Sequence, residues 1–200
     1  MATPTQSSTT TDNPPTRRAY KGSCHCGHIQ YIAHLTLPPP LVVAIAPNAS
    51  STTRLRKCNC STCHKMGLFH VRLMDAPNDF LLLSPLNPEQ GGLTDYTCFA
   101  RKNHFYFCPT CGVRCFAFSG ESEVREVEID GNKQQVWTPK RAGWNEPGTG
   151  YLSVNGITLE PGQEGLNLKE WHEKGWIQYL DMKNHELEDR LGEPHEGGIY

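Results

Sequence analysis

Short apolar segments separated by turn residues recur along the chain from Tyr20 onward. Within one of them, residues 29–35, apolar side chains occupy alternate positions, which is the period of a strand with one buried face. Pairs such as Asn87-Pro88 and Asp130-Gly131 separate the segments, as turn residues do. The pattern predicts a mainly β domain with strands at 29–35, 41–46, 80–83, 93–99, 104–107, 113–118, 124–129 and 151–157.

The two ends of the chain have a different texture. Residues 1–18 contain eight Ser or Thr and three Pro but no aromatic residue, so burial cannot offset the entropy of ordering them. We therefore expect a disordered tail at 1–18, a folded domain at 19–183 and a polar C-terminal extension at 184–200, which either stays loose or folds back. Apolar residues at helical spacing in 168–179 predict a short helical segment, although Gly175 weakens it by roughly 1 kcal/mol.

Composition narrows the classes of function. The chain has 200 residues, of which 37% are hydrophobic, and 19 basic residues against 21 acidic ones give a formal net charge of −2. This balance disfavours a nucleic-acid partner, and no apolar run approaches the roughly 20 residues that span a bilayer. We expect a cytoplasmic protein that acts on a small molecule and engages neither nucleic acid nor membrane. The sequence leaves its oligomeric state open.

Nine cysteines are the unusual feature of the composition, and seven of them fall into three clusters. The clusters are Cys24-x-Cys26, Cys58-x-Cys60-x-x-Cys63 and Cys108-x-x-Cys111. Thiols two or three residues apart suit metal ligation better than disulfides in a reducing cytosol. The sequence therefore predicts bound metal, with zinc favoured over an iron–sulfur cluster.

Seven thiolates divide naturally into a site of four and a site of three. Structural zinc takes four protein ligands, whereas catalytic zinc takes three and keeps one position open. The two paired clusters predict a structural zinc site at Cys24, Cys26, Cys108 and Cys111. The middle cluster predicts a catalytic zinc site at Cys58, Cys60 and Cys63. Alternatively, a fourth ligand from His64, Cys98 or Cys115 makes the middle site structural; otherwise Cys98 and Cys115 are expected to be buried free cysteines.

Basic residues surround the middle cluster, since residues 51–74 contain five Lys or Arg and no acidic residue. These cations either compensate the negative thiolate centre or bind an anionic substrate, and the two roles are compatible. We take Arg54, Arg56 and Lys65 as candidate substrate-binding residues. His64, beside the third cysteine, is the candidate general acid–base residue by position.

The three cysteine motifs together resemble the glutathione-dependent formaldehyde-activating enzyme (GFA) family, whose domain is shared with centromere protein V. The matching segments are Gly22-Ser-Cys24-His-Cys26-Gly27, Cys58-Asn-Cys60-Ser-Thr-Cys63-His-Lys65 and Phe107-Cys108-Pro-Thr-Cys111-Gly112, within residues 20–130. The resemblance implies a β-tent fold of small antiparallel sheets around two zinc sites, with the same division of ligands. This sequence departs from the family pattern at His64, where relatives commonly carry Arg.

The resemblance also implies a reaction. The family is named for condensing glutathione with formaldehyde and is classed with carbon–sulfur lyases. We therefore expect a zinc-dependent lyase that forms or cleaves a thiol adduct of a carbonyl or other small organic substrate, with glutathione as a candidate co-substrate. One alternative is a glutathione-independent isomerase or dehydratase acting on a specialised metabolite. Another is a non-enzymatic, zinc-stabilised interaction module.

Overall fold

Two β-sheets make up most of the computed structural model, which describes residues 13–43, 49–142, 144, 150–183 and 189–199. The five-stranded sheet is antiparallel throughout, in the order β1 (Thr16–Ser23), β2 (Gln30–Leu37), β5 (Phe80–Ser84), β10 (Asn132–Pro139) and β9 (Ser122–Ile129). Alternate residues of β1 and β2 turn toward the core, where Tyr20, Tyr31 and Leu35 are buried.

The second sheet has eight strands and carries two of the three cysteine motifs at its strand ends. Its order is β13 (Asp189–Leu191), β12 (Ile177–Leu180), β3 (Arg54–Cys58), β4 (Phe69–Arg72), β11 (Tyr151–Asn155), β8 (Arg114–Ser119), β7 (His104–Phe107) and β6 (Thr94–Thr97). Among these, only the β3–β12 pair is parallel. Three short helices complete the described regions: α1 (Ser61–Met66), α2 (Ala76–Asp79) and α3 (Leu168–Glu173).

Aromatic side chains join the two sheets. The ring of Phe80 on β5 lies 5.1 Å from that of Phe116 on β8, 5.6 Å from Tyr31 and 6.2 Å from Trp137. Tilted and edge-on rings at such distances attract one another beyond the burial of their area. This cluster is the centre of the core between the sheets.

The predicted mainly β class is confirmed. Seven of the eight predicted strands are present, as β2, β5, β6, β7, β8, β9 and β11, with ends shifted by a few residues. Of the predicted strand at 41–46, residues 41–43 form no strand and the remainder lies outside the described residues. Among the described helices, none is long and apolar enough to cross a membrane.

The predicted tail ends earlier than Arg18, because β1 begins at Thr16 and pairs with β2 along its whole length. Arg17 is held further by the buried carboxylate of Asp79, whose Oδ1 accepts hydrogen bonds from Nε at 3.0 Å and Nη2 at 2.7 Å. The sequence gives little sign of this strand, since its outward positions are polar and few apolar side chains occupy its inward positions.

The predicted helical segment at 168–179 is wrong beyond its first half. Helix α3 ends at Glu173, and Gly175 adopts a φ of +67°, a left-handed conformation that stops the helix. The chain then continues as β12, so that Trp171 enters the core from α3 and Trp176 from the connection just before β12. Beyond it, β13 pairs with β12, so the described part of the predicted C-terminal extension folds back onto the sheet.

We predict that Phe80→Ala lowers the free energy of unfolding by about 3–5 kcal/mol, because it removes a fully buried ring from the contact between the sheets. Chemical denaturation followed by tryptophan fluorescence measures the change. Phe99→Ala is the matched control, since that ring is 73% exposed and its removal should cost under about 1 kcal/mol. Equal losses in the two variants would contradict this description of the core.

Candidate metal centres and the adjoining pocket

Four cysteines from two hairpins meet at one end of the molecule. Cys24 and Cys26 follow β1, while Cys108 and Cys111 lie in the turn between β7 and β8. Their four sulfur atoms lie within 4.8 Å of one another, with Cys26 Sγ 3.4 Å from Cys108 Sγ and 3.7 Å from Cys24 Sγ. Zinc–sulfur bonds of about 2.3 Å place the sulfurs of a tetrahedral site about 3.8 Å apart. The group could therefore hold a metal ion, and its geometry is compatible with zinc.

Each half of this four-cysteine group is a tight turn that requires glycine. Gly27 has a φ of +79° and donates its N–H to the carbonyl of Cys24 at 3.0 Å; Gly112 has a φ of +72° and donates to the carbonyl of Cys108 at 2.9 Å. Glycine adopts this left-handed backbone at little cost. The backbone N–H of Ile29 also points at Cys24 Sγ, at 3.2 Å. The turns thus hold the sulfurs in place through local backbone geometry.

The three remaining clustered cysteines lie where β3 runs into α1. Cys58 is the last residue of β3, Cys60 caps the N-terminus of α1, and Cys63 lies within it. Their sulfur atoms also lie within 4.8 Å of one another. The N–H of Cys63 donates to Cys60 Sγ, and the N–H of Cys60 donates to Cys58 Sγ, both at 3.4 Å. This three-cysteine group could hold a second metal ion.

Hydrogen bonding in this group favours a thiolate at Cys60. Its sulfur accepts from the thiols of Cys58 and Cys63 and from the backbone N–H groups of Cys63 and Thr62, and these contacts lower the pKa of Cys60. Donors directed at sulfur stabilise the charged form. The loop therefore provides a ligand in the protonation state that a metal requires.

No fourth ligand completes this group among the described residues. His64 and Lys65 are exposed on α1. Cys115 is fully buried beside the four-cysteine group, where burial raises the pKa of its thiol, and the sulfur of Cys98 contacts the Thr62 hydroxyl at 3.3 Å. The alternative of a four-ligand middle site completed by His64, Cys98 or Cys115 therefore finds no support. His64 also does not line the pocket beside the three cysteines, so it is not placed to act there as a general acid–base residue.

A pocket of about 380 Å³ opens directly beside the three-cysteine group. Its wall is one face of the eight-stranded sheet: Arg56 on β3 is the register partner of His70 on β4, which in turn pairs with Asn155 on β11. Because alternate residues share a face, Arg72 and Tyr151 point to the same side. The lining comprises Arg56, Cys58, Cys60, Thr62, Cys63, His70, Arg72, Phe99, Asn103, Phe105, Tyr151, Leu180 and Met182.

His70 is the buried histidine of this pocket, and sequence reasoning missed it. Its Nε2 lies 3.1 Å from Cys63 Sγ and its Nδ1 lies 2.8 Å from Ser153 Oγ, with the Tyr151 hydroxyl 3.4 Å from the same nitrogen. Burial lowers the pKa of His70 to about 4, so the imidazole is neutral at pH 7. If a bound metal holds Cys63 as a thiolate, the neutral ring would donate to that sulfur from Nε2 and accept from Ser153 at Nδ1, and this arrangement would orient Cys63.

Of the predicted substrate-binding residues, only Arg56 lines the pocket. Its Nε donates to Gln178 Oε1 at 3.0 Å, and its Nη2 lies 3.5 Å from Asp189 Oδ2. Arg54 is buried at 8% exposure, on the same face of β3 but away from the pocket, and Lys65 lies outside it. Arg72, which the sequence showed only as part of a basic stretch, lines the pocket with its guanidinium carbon 4.1 Å from the centre of the Tyr151 ring.

Comparison with known proteins adds little. The chain matches no protein-family model, and no curated protein is significantly similar to it. Among solved structures, the crystal structure of a Rhodobacter sphaeroides protein aligns with 80% of this chain and 98% of that one, at 20% identity and a TM-score of 0.38. A likeness this low carries no argument about function, which must rest on the residues of the chain itself.

We predict that the two cysteine groups differ in what their loss does to the fold. Cys60→Ser should lower the zinc content from two ions per chain to one while leaving the melting temperature nearly unchanged. Cys108→Ser should remove the other ion and also lower the melting temperature by several degrees, because it opens the link between the two hairpins. Elemental analysis and thermal unfolding measure both. Visible absorption from an iron–sulfur cluster, or a full zinc content in Cys60→Ser, would contradict the assignment.

We predict that His70→Ala weakens zinc binding at the three-cysteine group by about 10- to 100-fold, because the variant loses the hydrogen bond that orients Cys63. Competition with a chromogenic chelator measures the affinity. The control is His104→Ala, since His104 is partly exposed and pairs with Asp95 on the β6–β7 hairpin. An unchanged affinity in His70→Ala would show that the ring does not support the metal ligand.

Proposed function

We propose that the protein is a zinc-dependent enzyme that forms or cleaves a carbon–sulfur bond in a thiol adduct of a carbonyl compound or another small organic substrate. One observation carries the proposal: three cysteines converge beside a pocket, and no fourth described residue closes the group. A structural site has no use for an open side facing a pocket, whereas a catalytic site requires one. The resemblance of the three motifs to the GFA family supports the same reaction class.

Zinc held by three thiolates would offer an open position that binds a substrate thiolate and lowers its pKa. Three strongly donating ligands reduce the Lewis acidity of the metal, so holding a thiolate fits this ligand set better than strong activation of a carbonyl. The four-cysteine group has a structural role in this proposal, since its four ligands come from two hairpins and leave no open position on a metal ion.

The residues of the pocket have distinct roles in this reaction. His70 is a positioning residue, because it reaches Cys63 and is itself held by Ser153. Tyr151 lines the pocket and presents a hydroxyl beside His70. When a thiolate adds to a carbonyl carbon, the carbon–sulfur bond forms and the π pair moves to oxygen. That oxygen then gains a proton from solvent, which balances the proton that the thiol released to solvent on becoming a thiolate. In the proposed reaction, the Tyr151 hydroxyl would donate a hydrogen bond to this oxygen.

The apolar part of the lining also has a role. Phe99, Phe105, Leu180 and Met182 form the apolar part of the pocket lining. Displacing water from this region strengthens the hydrogen bonds and charge interactions around a bound substrate. It also protects a thiol adduct that water would otherwise exchange.

A second candidate function uses the same metal centre without glutathione, as an isomerase or dehydratase acting on a specialised metabolite. The lining favours it in one respect. Glutathione carries an ammonium group, and none of the described residues that line the pocket is acidic and able to pair with it. Glutathione dependence separates the two candidates.

We expect the zinc-loaded protein at catalytic concentration to accelerate exchange between formaldehyde, glutathione and their adduct, measured by NMR exchange spectroscopy against a blank with equal free zinc. Cys60→Ser should lose the acceleration because it loses the open metal site. Arg18→Met is the matched control. Arg18 lies on β1 of the five-stranded sheet, where it pairs with Glu164 away from the pocket, so this variant should leave the rate unchanged. No acceleration by protein with both zinc sites filled would overturn the glutathione reaction and favour the second candidate.

A further inference from the structure

Three arginines lie side by side on the face of the sheet that forms the pocket. Arg54 and Arg56 are two residues apart on β3, and Arg72 on β4 is the register partner of Arg54. Side chains two residues apart on a strand project to the same face, and register partners do so as well. Guanidinium groups at such spacing repel one another unless anions separate them.

The described part of the chain supplies few anions for this cluster. Asp189 is 3.5 Å from Arg56, but neither Arg54 nor Arg72 has an ion pair or side-chain hydrogen bond with a described residue, and the Nε atoms of both are buried without a partner. Burial, together with the charges of Arg56 and Arg72, lowers the pKa of Arg54 to about 10. Buried unpaired cations are costly, so this arrangement is that of a site whose counter-charge comes from outside.

The thiolates do not balance the cluster either. Asp189 offsets one of the three positive charges, and a zinc ion on three thiolates, with a net charge of −1, would offset a second. Counted over the described residues, one positive charge then remains, and Arg56 and Arg72 are the arginines of the cluster that face the pocket. Arginine binds planar carboxylates through two parallel hydrogen bonds, so a carboxylate matches this remaining charge in both sign and shape.

The rest of the lining indicates what carries the carboxylate. Phe99, Phe105, Leu180 and Met182 are apolar, and the described residues that line the pocket include no Asp or Glu. An ammonium group on the rest of the substrate would be left without an ionic partner there, whereas an apolar group would be buried against apolar side chains. A pocket of about 380 Å³ is also at the small end of ligand sites.

We propose that Arg56 and Arg72, with Arg54 behind them, bind the carboxylate of a substrate whose remaining body is apolar and packs against Phe99, Phe105 and Leu180. The proposal deepens the proposed function and rests on it in taking this pocket as the substrate site. Arg56 precedes Cys58 by two residues of β3, about 7 Å along the strand. A carboxylate at the arginines therefore leaves the other end of a short molecule beside the cysteines.

Calorimetric titration of the zinc-loaded protein tests this with 4-phenylbutanoate as the probe and 4-phenylbutanamide as its neutral counterpart. The carboxylate should bind at least about tenfold more tightly than the amide, because a charge-assisted pair is lost in the amide. Glutathione should bind more weakly than the carboxylate. Equal affinities for carboxylate and amide, or no detectable binding of the carboxylate, would overturn the proposal.

Variants locate the bound carboxylate. Arg72→Met should remove the preference for carboxylate over amide, Arg72→Lys should retain part of it, and Arg18→Met should retain all of it. Arg72→Met should also raise the melting temperature of the ligand-free protein, because it removes an unpaired cation from a partly buried site; an arginine needed only for the fold would lower it. If Arg72→Met does not fold, full retention of the preference in Arg72→Lys overturns the proposal, since lysine cannot form the paired hydrogen bonds.

Cys60→Ser separates this inference from the proposed function. It should lose zinc from the three-cysteine group and lose turnover, yet still prefer the carboxylate, because the arginines remain. If the preference disappears in Cys60→Ser and survives in Arg72→Met, the carboxylate binds at the metal and the inference is wrong. Arginine-dependent binding in a protein that fails to accelerate any thiol exchange would instead count against the lyase reaction alone.

Discussion

The convergence of the β1–β2 and β7–β8 turns through Cys24, Cys26, Cys108 and Cys111 is the constraint on which the rest of the structure depends. One turn belongs to each sheet, so a metal ion held there would link the two sheets at their strand ends. Paired strands connect this four-cysteine group to the three-cysteine group. Strand β7 pairs with β8, β8 with β11, β11 with β4 and β4 with β3. Each step is a hydrogen-bonded register, and the last strand ends at Cys58. The aromatic contact between Phe80 and Phe116 holds the same sheets together from inside the core.

The three-cysteine group depends on this framework because its own elements are too short to be stable alone. An isolated helix of the length of α1 does not form in water, so packing and ligand bonds must hold it. Asn59, buried between two of the cysteines, supplies part of that support. Its amide donates to Asp181 at 2.6 Å, and its oxygen accepts from the N–H groups of Met182 and Lys183 at 2.7 and 2.9 Å. The C-terminal segment thereby holds the cysteine loop and also contributes Leu180 and Met182 to the pocket.

What the sequence could predict follows from the range of the interactions. Cysteine spacing within each motif is local, and so the sequence predicted the three-cysteine group. The pairing of the two distant motifs into one four-cysteine group came from the four ligands that structural zinc takes. Strands with apolar alternation, such as β2, were predicted because that pattern is local as well. Strand β3 was missed because its charged residues Arg54, Arg56 and Lys57 are typical of a solvated loop. Only the pairing with β12 and β4, which flank β3 in the sheet, makes this segment a buried strand. His70 was missed with β4, since only the cross-strand register brings it to Cys63 and Ser153. The emphasis on His64 came from adjacency in sequence, but helix α1 turns that side chain to solvent.

The polarity of the pocket follows from the direction of β3. Its cysteine end is negative once a metal is bound by three thiolates, and its arginine end is positive, so the field along the strand orients an anionic molecule one way only. Under the proposed carboxylate binding, charge compensation and substrate binding, the two roles considered for the basic stretch, would be divided between arginines. Arg56 is held by Gln178 and Asp189 near the cysteines. Arg72 is stacked on Tyr151 and has no acidic partner among the described residues, so it is the arginine whose hydrogen-bonding groups would serve a ligand. The same strand therefore fixes both where a substrate would react and which end of it would face the cysteines.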